Sequence, residues 1–263
     1  AVYKYLGPPR GQVRTLPQNS LSRVIQAVTK GKSRYGIIPV ENSIGGYVDR
    51  AYELIAGSKL TAIGEVYLEV KHNLLGIPGT NLEDIDTVYS HPQALKQCRT
   101  FVEEGGFSTR ATYDTAGSAK MISENRQPNE GAIASELAAR EYDLKTLAEG
   151  IQSAEDNYTR FLVLSASKVQ EREGGVDYKT SVTFDLGDSP GALYHCLIPF
   201  AENEINLTMI KSRPSISGNW EYHFDLELEG HRDDPVVATT LDAVNEYLPN
   251  SVTVLGSYPQ GKK

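Results

Sequence analysis

Asn157-Tyr158-Thr159-Arg160-Phe161-Leu162-Val163-Leu164 sets a polar run directly ahead of an apolar one, where a strand is predicted over Thr159–Leu164. A matching junction lies far upstream, where the strand predicted over Tyr35–Val40 closes on Pro39-Val40-Glu41-Asn42-Ser43. Small polar side chains at strand ends are where α/β proteins gather ligand-binding groups. Between the junctions, Leu60–Ile77 is rich in β-branched and apolar residues, with no turn signal before Pro78-Gly79. That stretch predicts a strand crossing from one lobe to a second. Thr159–Leu164 would return the chain to the first lobe, leaving a cleft for a small ligand between them.

The flanking pattern alternates. Val2–Leu6, Tyr35–Val40, Thr87–Ser90, Ser108–Thr112 and Gly131–Ala134 read as strands. Leu21–Lys30, Asp49–Ala56, Pro92–Glu104, Thr115–Glu124 and Ser135–Tyr142 read as helices, the first with helical spacing of Leu21, Val24, Ile25 and Val28 and a cap at Ser20 or Asn19. Such alternation predicts α/β layers with largely parallel sheets. Ser167–Tyr178 is polar, charged and contains Gly174-Gly175, which predicts an interdomain linker. Beyond it, Thr180–Leu186, a helix opened by Ser189-Pro190, Asn206–Ser212, Trp220–Glu229, Asp234–Leu248 and Ser251–Leu255 follow the βαββαβ order of a ferredoxin-like α+β module.

At 263 residues the chain slightly exceeds the roughly 250 at which single cores stop growing, so two domains are expected. Its 40% hydrophobic and 23% charged residues describe a soluble globular protein. A net charge of -8 argues against nucleic acid as a partner. No window is apolar for long enough to span a membrane, and no apolar signal segment opens the chain, so a cytoplasmic protein is expected. The chain begins at Ala1, which leaves a trimmed terminus or a removed leader open. Cys98 and Cys196 fall in separate predicted domains, which fits a reducing compartment, and Cys98 shares a helical face with Leu95 and Val102. His72, His195, His223 and His231 lack metal-ligand spacing, so no metal is expected. Gly31-Lys32-Ser33 resembles the end of a phosphate loop, but Gln26 stands where its first glycine belongs.

Three predicted strand-to-helix turns share one character. They are Asn42-Ser43-Ile44-Gly45-Gly46, Ser90-His91-Pro92-Gln93 and Asp114-Thr115-Ala116-Gly117-Ser118. Each aims backbone N–H groups and short polar side chains at a sheet edge, and together they would receive a small dianion. Each also has a purely structural reading: Ser90 with Gln93 fits a capping box, and Asn42 or Ser43 can cap a helix. Arg160 can hold a substrate carboxylate or brace the local scaffold, and the residues alone do not separate these.

In their order, the Asn42-Ser43 and Thr159-Arg160-Phe161 runs resemble the signature of the prephenate dehydratases. Gly191-Ala192-Leu193, followed by Lys211-Ser212-Arg213-Pro214, resembles the ACT domain that senses phenylalanine in that family. The resemblance covers nearly the whole chain. It implies a catalytic domain over 1–170, with lobes of about 1–75 plus 159–170 and 76–158, resembling type II periplasmic binding proteins. A regulatory ACT domain would occupy 178–263. The implied reaction converts prephenate to phenylpyruvate without a cofactor, and L-phenylalanine is the implied effector. Thr159, Arg160 and Phe161 are the implied catalytic group, with Thr159 donating to the leaving oxygen and Phe161 shaping the pocket. Asn42, Ser43, Ser90, His91, Gln93 and Thr115 are the expected substrate-binding residues; Gly191, Ala192, Leu193, Asn206 and Leu207 are the expected effector contacts. Effector sites between subunits imply a homodimer or homotetramer. No helical segment precedes the match, so a monofunctional enzyme is expected.

Two positions depart from the pattern. Lys211 stands where the family usually has glutamate, so altered phenylalanine sensing is expected. Tyr5-Leu6-Gly7-Pro8 matches the family opening, but Arg10-Gly11-Gln12 replaces its usual continuation, removing an expected hydroxyl contact. Arogenate dehydratase, acting on the amino analogue of the same substrate, is the nearest alternative. A non-catalytic amino-acid sensor is the second.

Overall fold

Ser20 shows how local sequence sets the fold. Its side chain accepts a hydrogen bond from the Arg23 N–H, and the helix Leu21–Thr29 that it opens buries Ile25, Ala27 and Val28. The following strand, Tyr35–Asn42, alternates half-buried with buried residues until Val40, as a strand covered on one face should. This computed structural model describes residues 1–7, 13–48, 50–154, 156–167, 172–214, 222–248 and 251–262. Pro8, Arg10, Gly11 and Gln12, Asp49 and Trp220, and part of the predicted linker, lie outside the described residues.

The chain divides into two compact units, one formed by Ala1–Leu68 with Thr159–Lys263 and one by Glu69–Tyr158. The first unit holds two four-stranded sheets. One runs in the order Gly46–Tyr47, Tyr35–Asn42, Tyr158–Ser165, Thr61–Glu69. The other runs Leu207–Pro214, Tyr222–Glu229, Tyr178–Leu186, Thr253–Pro259, with helices Ala192–Glu202 and Pro235–Tyr247 between its strands. That order is ferredoxin-like. The second unit carries a five-stranded sheet, Ser108–Ala111, Thr87–Ser90, Glu130–Ala134, Asn73–Gly76, Lys145–Ala148. The chain thus leaves the first sheet after Thr61–Glu69 and re-enters it at Tyr158–Ser165.

Three expectations are corrected. Val2–Leu6 is a helix rather than a strand, ended by Gly7 in the left-handed conformation, with the Gly7 N–H donating to the Tyr3 carbonyl. Valine and tyrosine favour strands only where a ladder partner exists; here the Tyr5 ring packs on Gly64, so closely that a Cβ at Gly64 would sit 2.4 Å from it. The sheets are not largely parallel. Ser108–Ala111, Thr87–Ser90 and Glu130–Ala134 run parallel, while Tyr35–Asn42 pairs antiparallel with Tyr158–Ser165, and Asn73–Gly76 runs antiparallel to both neighbours. Strand–helix alternation sets the direction of sequential strands only, and these pairs are far apart in sequence. The helix predicted over Pro92–Glu104 breaks at Cys98 into Pro92–Gln97 and Arg99–Glu104. Cys98 remains a core thiol, packed with Ala94, Val102 and Ile133, and burial pushes its pKa up to about 12.

In the first unit the two sheets share one hydrophobic cluster. Ile38, Val40, Tyr52, Ile55 and Leu162 from one side pack with Met209, Leu255 and Tyr258 from the other. Gly256 sets the spacing: a Cβ there would lie 2.1 Å from the Ala62 carbonyl oxygen. Backbone cannot yield as a flexible side chain can. Gly256→Ala is therefore expected to lower stability by about 2 kcal/mol or more through overpacking, read as a drop in the thermal midpoint; an unchanged midpoint would show that the sheets are not held at that distance.

Candidate active site

A bulge aims the site residues. The register of Tyr35–Asn42 on Tyr158–Ser165 runs Ile38 opposite Leu162 and Pro39 opposite Phe161, then shifts so that Glu41 faces Arg160 and Asn42 faces Thr159. The extra residue, Val40, reverses which face the following side chains occupy. Asn42 consequently shares the face of Thr159, while Glu41 shares that of Arg160. Pro39, which cannot donate to a ladder, sits next to this bulge, where proline is tolerated.

The Asn42 amide has a fixed orientation. Its Oδ1 accepts from the backbone N–H of Ile44, at 3.2 Å, and of Gly45, at 2.7 Å. Its Nδ2 therefore faces Thr159 and donates to Oγ1 at 3.0 Å. Because Thr159 Oγ1 accepts that bond, its own proton is available to another acceptor. Thr159 and Phe161 are both half-buried, and Ser43 is exposed.

Arg160 points to the opposite face and is 3% exposed. Its Nε donates to Glu65 Oε2 at 2.6 Å, and its terminal nitrogens reach the two Glu227 carboxylate oxygens at 2.8 Å each and the Tyr258 hydroxyl at 3.1 Å. Glu41 lies farther off, at 3.8 Å. The Arg160 guanidinium is thus bonded to protein groups on three strands. Lys179 adds a second cation, 3.3 Å from Glu65 Oε1. Tyr52 and Ser181 donate to Glu227 Oε1 at 2.7 and 3.0 Å. Burial opposes the charge on Arg160, yet Tyr258, Glu227 and Tyr52 around it hold its pKa above the ordinary value. Burial would raise the Glu227 carboxyl, but the Arg160 charge and hydrogen bonds from Arg160 and Tyr52 outweigh it and hold the pKa below the ordinary 4.5. Desolvation drives the phenols of Tyr52 and Tyr258 well above theirs.

The remaining expected substrate residues belong to the second unit. Ser90 is fully buried and donates to the Ile133 carbonyl at 2.7 Å, tying neighbouring strands together. It is not the helix cap: His91 Nδ1 accepts from the Gln93 N–H at 3.2 Å. His91 and Gln93 are exposed, and half-buried Thr115 opens the helix capped by Asp114. A cavity of about 320 Å³ in the first unit is lined by Thr61, Ile63, Tyr178, His231, Gly256 and Ser257, and includes none of the expected site residues. Among the described residues no group of three or more His, Cys, Asp or Glu is placed to hold a metal, and no helix is long and apolar enough to cross a membrane.

In the C-terminal module, Gly191 adopts φ 81 at the start of helix Ala192–Glu202, a conformation that favours glycine. Ala192 is buried, Leu193 and Leu207 pack against the module core, and Asn206 is exposed, its carbonyl accepting from the Glu229 N–H at 3.0 Å. Lys211 places its ammonium 5.0 Å from the centre of the Tyr47 ring, and Arg213 pairs with Asp225 at 3.2 Å.

Residues 1–169 match the family described as prephenate dehydratase, and residues 180–246 match the ACT domain. The chain belongs to the prephenate dehydratase family. The prephenate dehydratase of Methanocaldococcus jannaschii is 36% identical over 98% of this chain and 93% of its own length. The chloroplastic arogenate dehydratase/prephenate dehydratase 2 of Arabidopsis thaliana is 38% identical over 93% of this chain, which spans 66% of that protein. Among solved structures, the prephenate dehydratase of Arthrobacter aurescens in complex with L-Phe superposes with a TM-score of 0.87 at 32% identity, covering 97% of this chain and 85% of that one. A structure described as GqqA, a novel type of quorum quenching acylase, also gives 0.87 at 32% identity, covering 95% and 90%. The mixed α/β lobes and C-terminal ferredoxin-like module are the fold class that the sequence implied.

Sequence reasoning did not find Glu65, Glu227, Tyr258 or Tyr52 as partners of Arg160. The acids alternate with apolar residues in Phe224-Asp225-Leu226-Glu227-Leu228, which resembles a strand with one solvated face, yet Asp225 and Glu227 are both 1% exposed. Alternation marks the two faces without saying that the polar one is covered.

Arg160→Met leaves Glu65 and Glu227 buried without their shared cation and is expected to cost about 3–5 kcal/mol in urea unfolding; wild-type stability would show that the acids do not depend on it. The depressed Glu227 pKa makes a stabilising contribution that is complete above its unfolded value near 4.5 and lost as pH falls toward the folded one. Glu227→Gln should flatten that part of the acid limb in a stability-versus-pH series, and an identical limb would remove the assignment.

Proposed function

We propose that this protein converts prephenate to phenylpyruvate and that the Thr159 hydroxyl protonates or hydrogen-bonds the departing ring oxygen. The observation that carries this reading is the fixed Asn42 amide. Because Asn42 donates to Thr159 Oγ1, the threonine is an acceptor toward the protein, and its one proton is left for substrate. In the reaction the ring C–O bond breaks and its electron pair leaves on oxygen, which takes up a proton to become water. The C–C bond to the ring carboxylate breaks at the same time, its pair enters the ring, and carbon dioxide departs. Aromatisation drives the step, and no electrons are exchanged with an outside partner. An alcohol is a weak acid, so orientation and fixed dipoles supply most of the acceleration.

In this reading residues 1–170 form the catalytic domain and 178–263 the regulatory one. Ser43, Ser90, His91, Gln93 and Thr115 serve substrate binding, with Phe161 shaping the pocket. Ser90, being fully buried, acts through the strand end that it pins. Phenylalanine binds at Gly191–Leu193 and Asn206-Leu207 between subunits of a homodimer or homotetramer. The Arabidopsis relative keeps arogenate open as the substrate. Acyl transfer of the kind named for GqqA would need a nucleophile beside a base, and the partner of Thr159 Oγ1 is an amide.

Incubation of the protein with prephenate, and separately with arogenate, tests the reading by following phenylpyruvate or phenylalanine formation with and without added phenylalanine. Thr159→Ala is expected to lower turnover by about 10²–10⁴-fold, the span of a lost proton-transfer contribution, with an unchanged circular dichroism spectrum. Near-normal turnover would remove the role of Thr159, and turnover of neither substrate would leave a non-catalytic amino-acid sensor.

A further inference from the structure

Arg160 joins two parts of the protein whose roles differ. Its backbone belongs to the strand that carries Thr159, and its side chain ends on Glu227 and Tyr258 of the C-terminal module, with Glu65 as its partner on its own sheet. Both Glu227 and Tyr258 are fully buried, and Ser181 bonds to each, at 3.0 and 2.6 Å, so neither can swing to another partner cheaply.

The same strand that carries Glu227 borders the expected effector segment. Leu207 pairs with Leu228, Met209 pairs with Glu227, and the Asn206 carbonyl accepts from the Glu229 N–H. A contiguous set of bonds therefore runs from Asn206-Leu207 through Glu227 to the Arg160 guanidinium. One peptide bond then leads to Thr159, whose hydroxyl is held by Asn42. The Arg160–Glu227 pair is short, at 2.8 Å, and buried, and a buried charge left without its partner is costly. A shift of strand Tyr222–Glu229 must therefore either drag Arg160 or break its pairing.

We propose that the buried Arg160–Glu227 ion pair is the link by which the C-terminal module sets the position of the Thr159 hydroxyl, making Glu227 a positioning residue for catalysis. This rests on the dehydratase reading above. Lys211 places its ammonium 5.0 Å from the centre of the Tyr47 ring.

The test compares full-length wild type with Glu227→Gln and Tyr258→Phe. Turnover of prephenate and arogenate, KM, inhibition by phenylalanine and direct phenylalanine binding by calorimetry are measured on each. Glu227→Gln is expected to lower kcat roughly tenfold with KM nearly unchanged and to weaken phenylalanine inhibition roughly tenfold while calorimetric affinity stays within about threefold, a loss of coupling within the usual range. Tyr258→Phe should move the same quantities in the same direction by less, and it decides the matter if Glu227→Gln does not fold. A merely structural role would lower the amount of folded protein without separating inhibition from binding. Folded variants with wild-type kcat and inhibition would overturn the link, as would inhibition that is lost only because phenylalanine no longer binds. Wild type that turns substrate over but ignores phenylalanine also overturns it. Wild type that turns over neither substrate refutes the dehydratase reading first, and the link falls with it.

Discussion

A positive charge buried beside Thr159 constrains much of the first unit. Placing a guanidinium at 3% exposure is costly unless every donor finds an acceptor, and Arg160 finds them on three separate strands: Glu65, Glu227 and Tyr258. Those strands come from both sheets of the unit, so the charge is satisfied only when the sheets have docked. Lys179 and Glu65 form a second pair in the same cluster, which leaves two buried acids facing two buried cations. A well-packed apolar pair can match such a cluster in stability. What ions supply in addition is a defined geometry, because a misaligned guanidinium leaves charges unpaired.

That geometry matters because of strand alternation. Successive side chains point to opposite faces, so fixing Arg160 on one face fixes where Thr159 and Phe161 emerge on the other. The bulge at Val40 completes the arrangement from the neighbouring strand. Without the extra residue Asn42 would turn toward the buried face, and Glu41 would turn away from Arg160. One backbone irregularity thus supplies both the hydrogen-bond donor to Thr159 and an additional acid near Arg160. The Ile44 and Gly45 N–H groups then remove the last freedom, the flip of the Asn42 amide.

What the sequence made legible follows from the range of the forces involved. The cap at Ser20, the helix Leu21–Thr29 and the strand Thr87–Ser90 are decided by neighbours within a few residues, and they lie where periodicity puts them. The ferredoxin-like order of the C-terminal module was legible for the same reason, since each element has its own pattern and boundary. Strand Lys145–Ala148 was not, because its half-buried edge position gives it a weak pattern. Val2–Leu6 has side chains that suit a strand but no ladder to join. Strand direction depended on pairs such as Tyr35 with Ser165, which no local signal relates. In the site, Thr159 and Asn42 could be singled out by their motifs, whereas no local signal pairs Arg160 with Glu227.

The shared core gives the ion pair its leverage. Met209, Leu255 and Tyr258 pack into the same cluster as Ile38, Val40 and Leu162, and Gly256 lets the two backbones approach where any side chain would collide with Ala62. A densely packed contact of this kind does not deform smoothly; it shifts between discrete arrangements or stays put. An ion pair set in soft surroundings would absorb a displacement by letting its side chains bend. Here the Tyr52 and Ser181 hydroxyls both donate to Glu227 Oε1, so movement of its strand has few ways to dissipate before it reaches Arg160. The close approach at Gly256 and the buried charge at Arg160 therefore act together: the first keeps the sheets from sliding freely, and the second ties whatever sliding remains to the strand on which Thr159 stands.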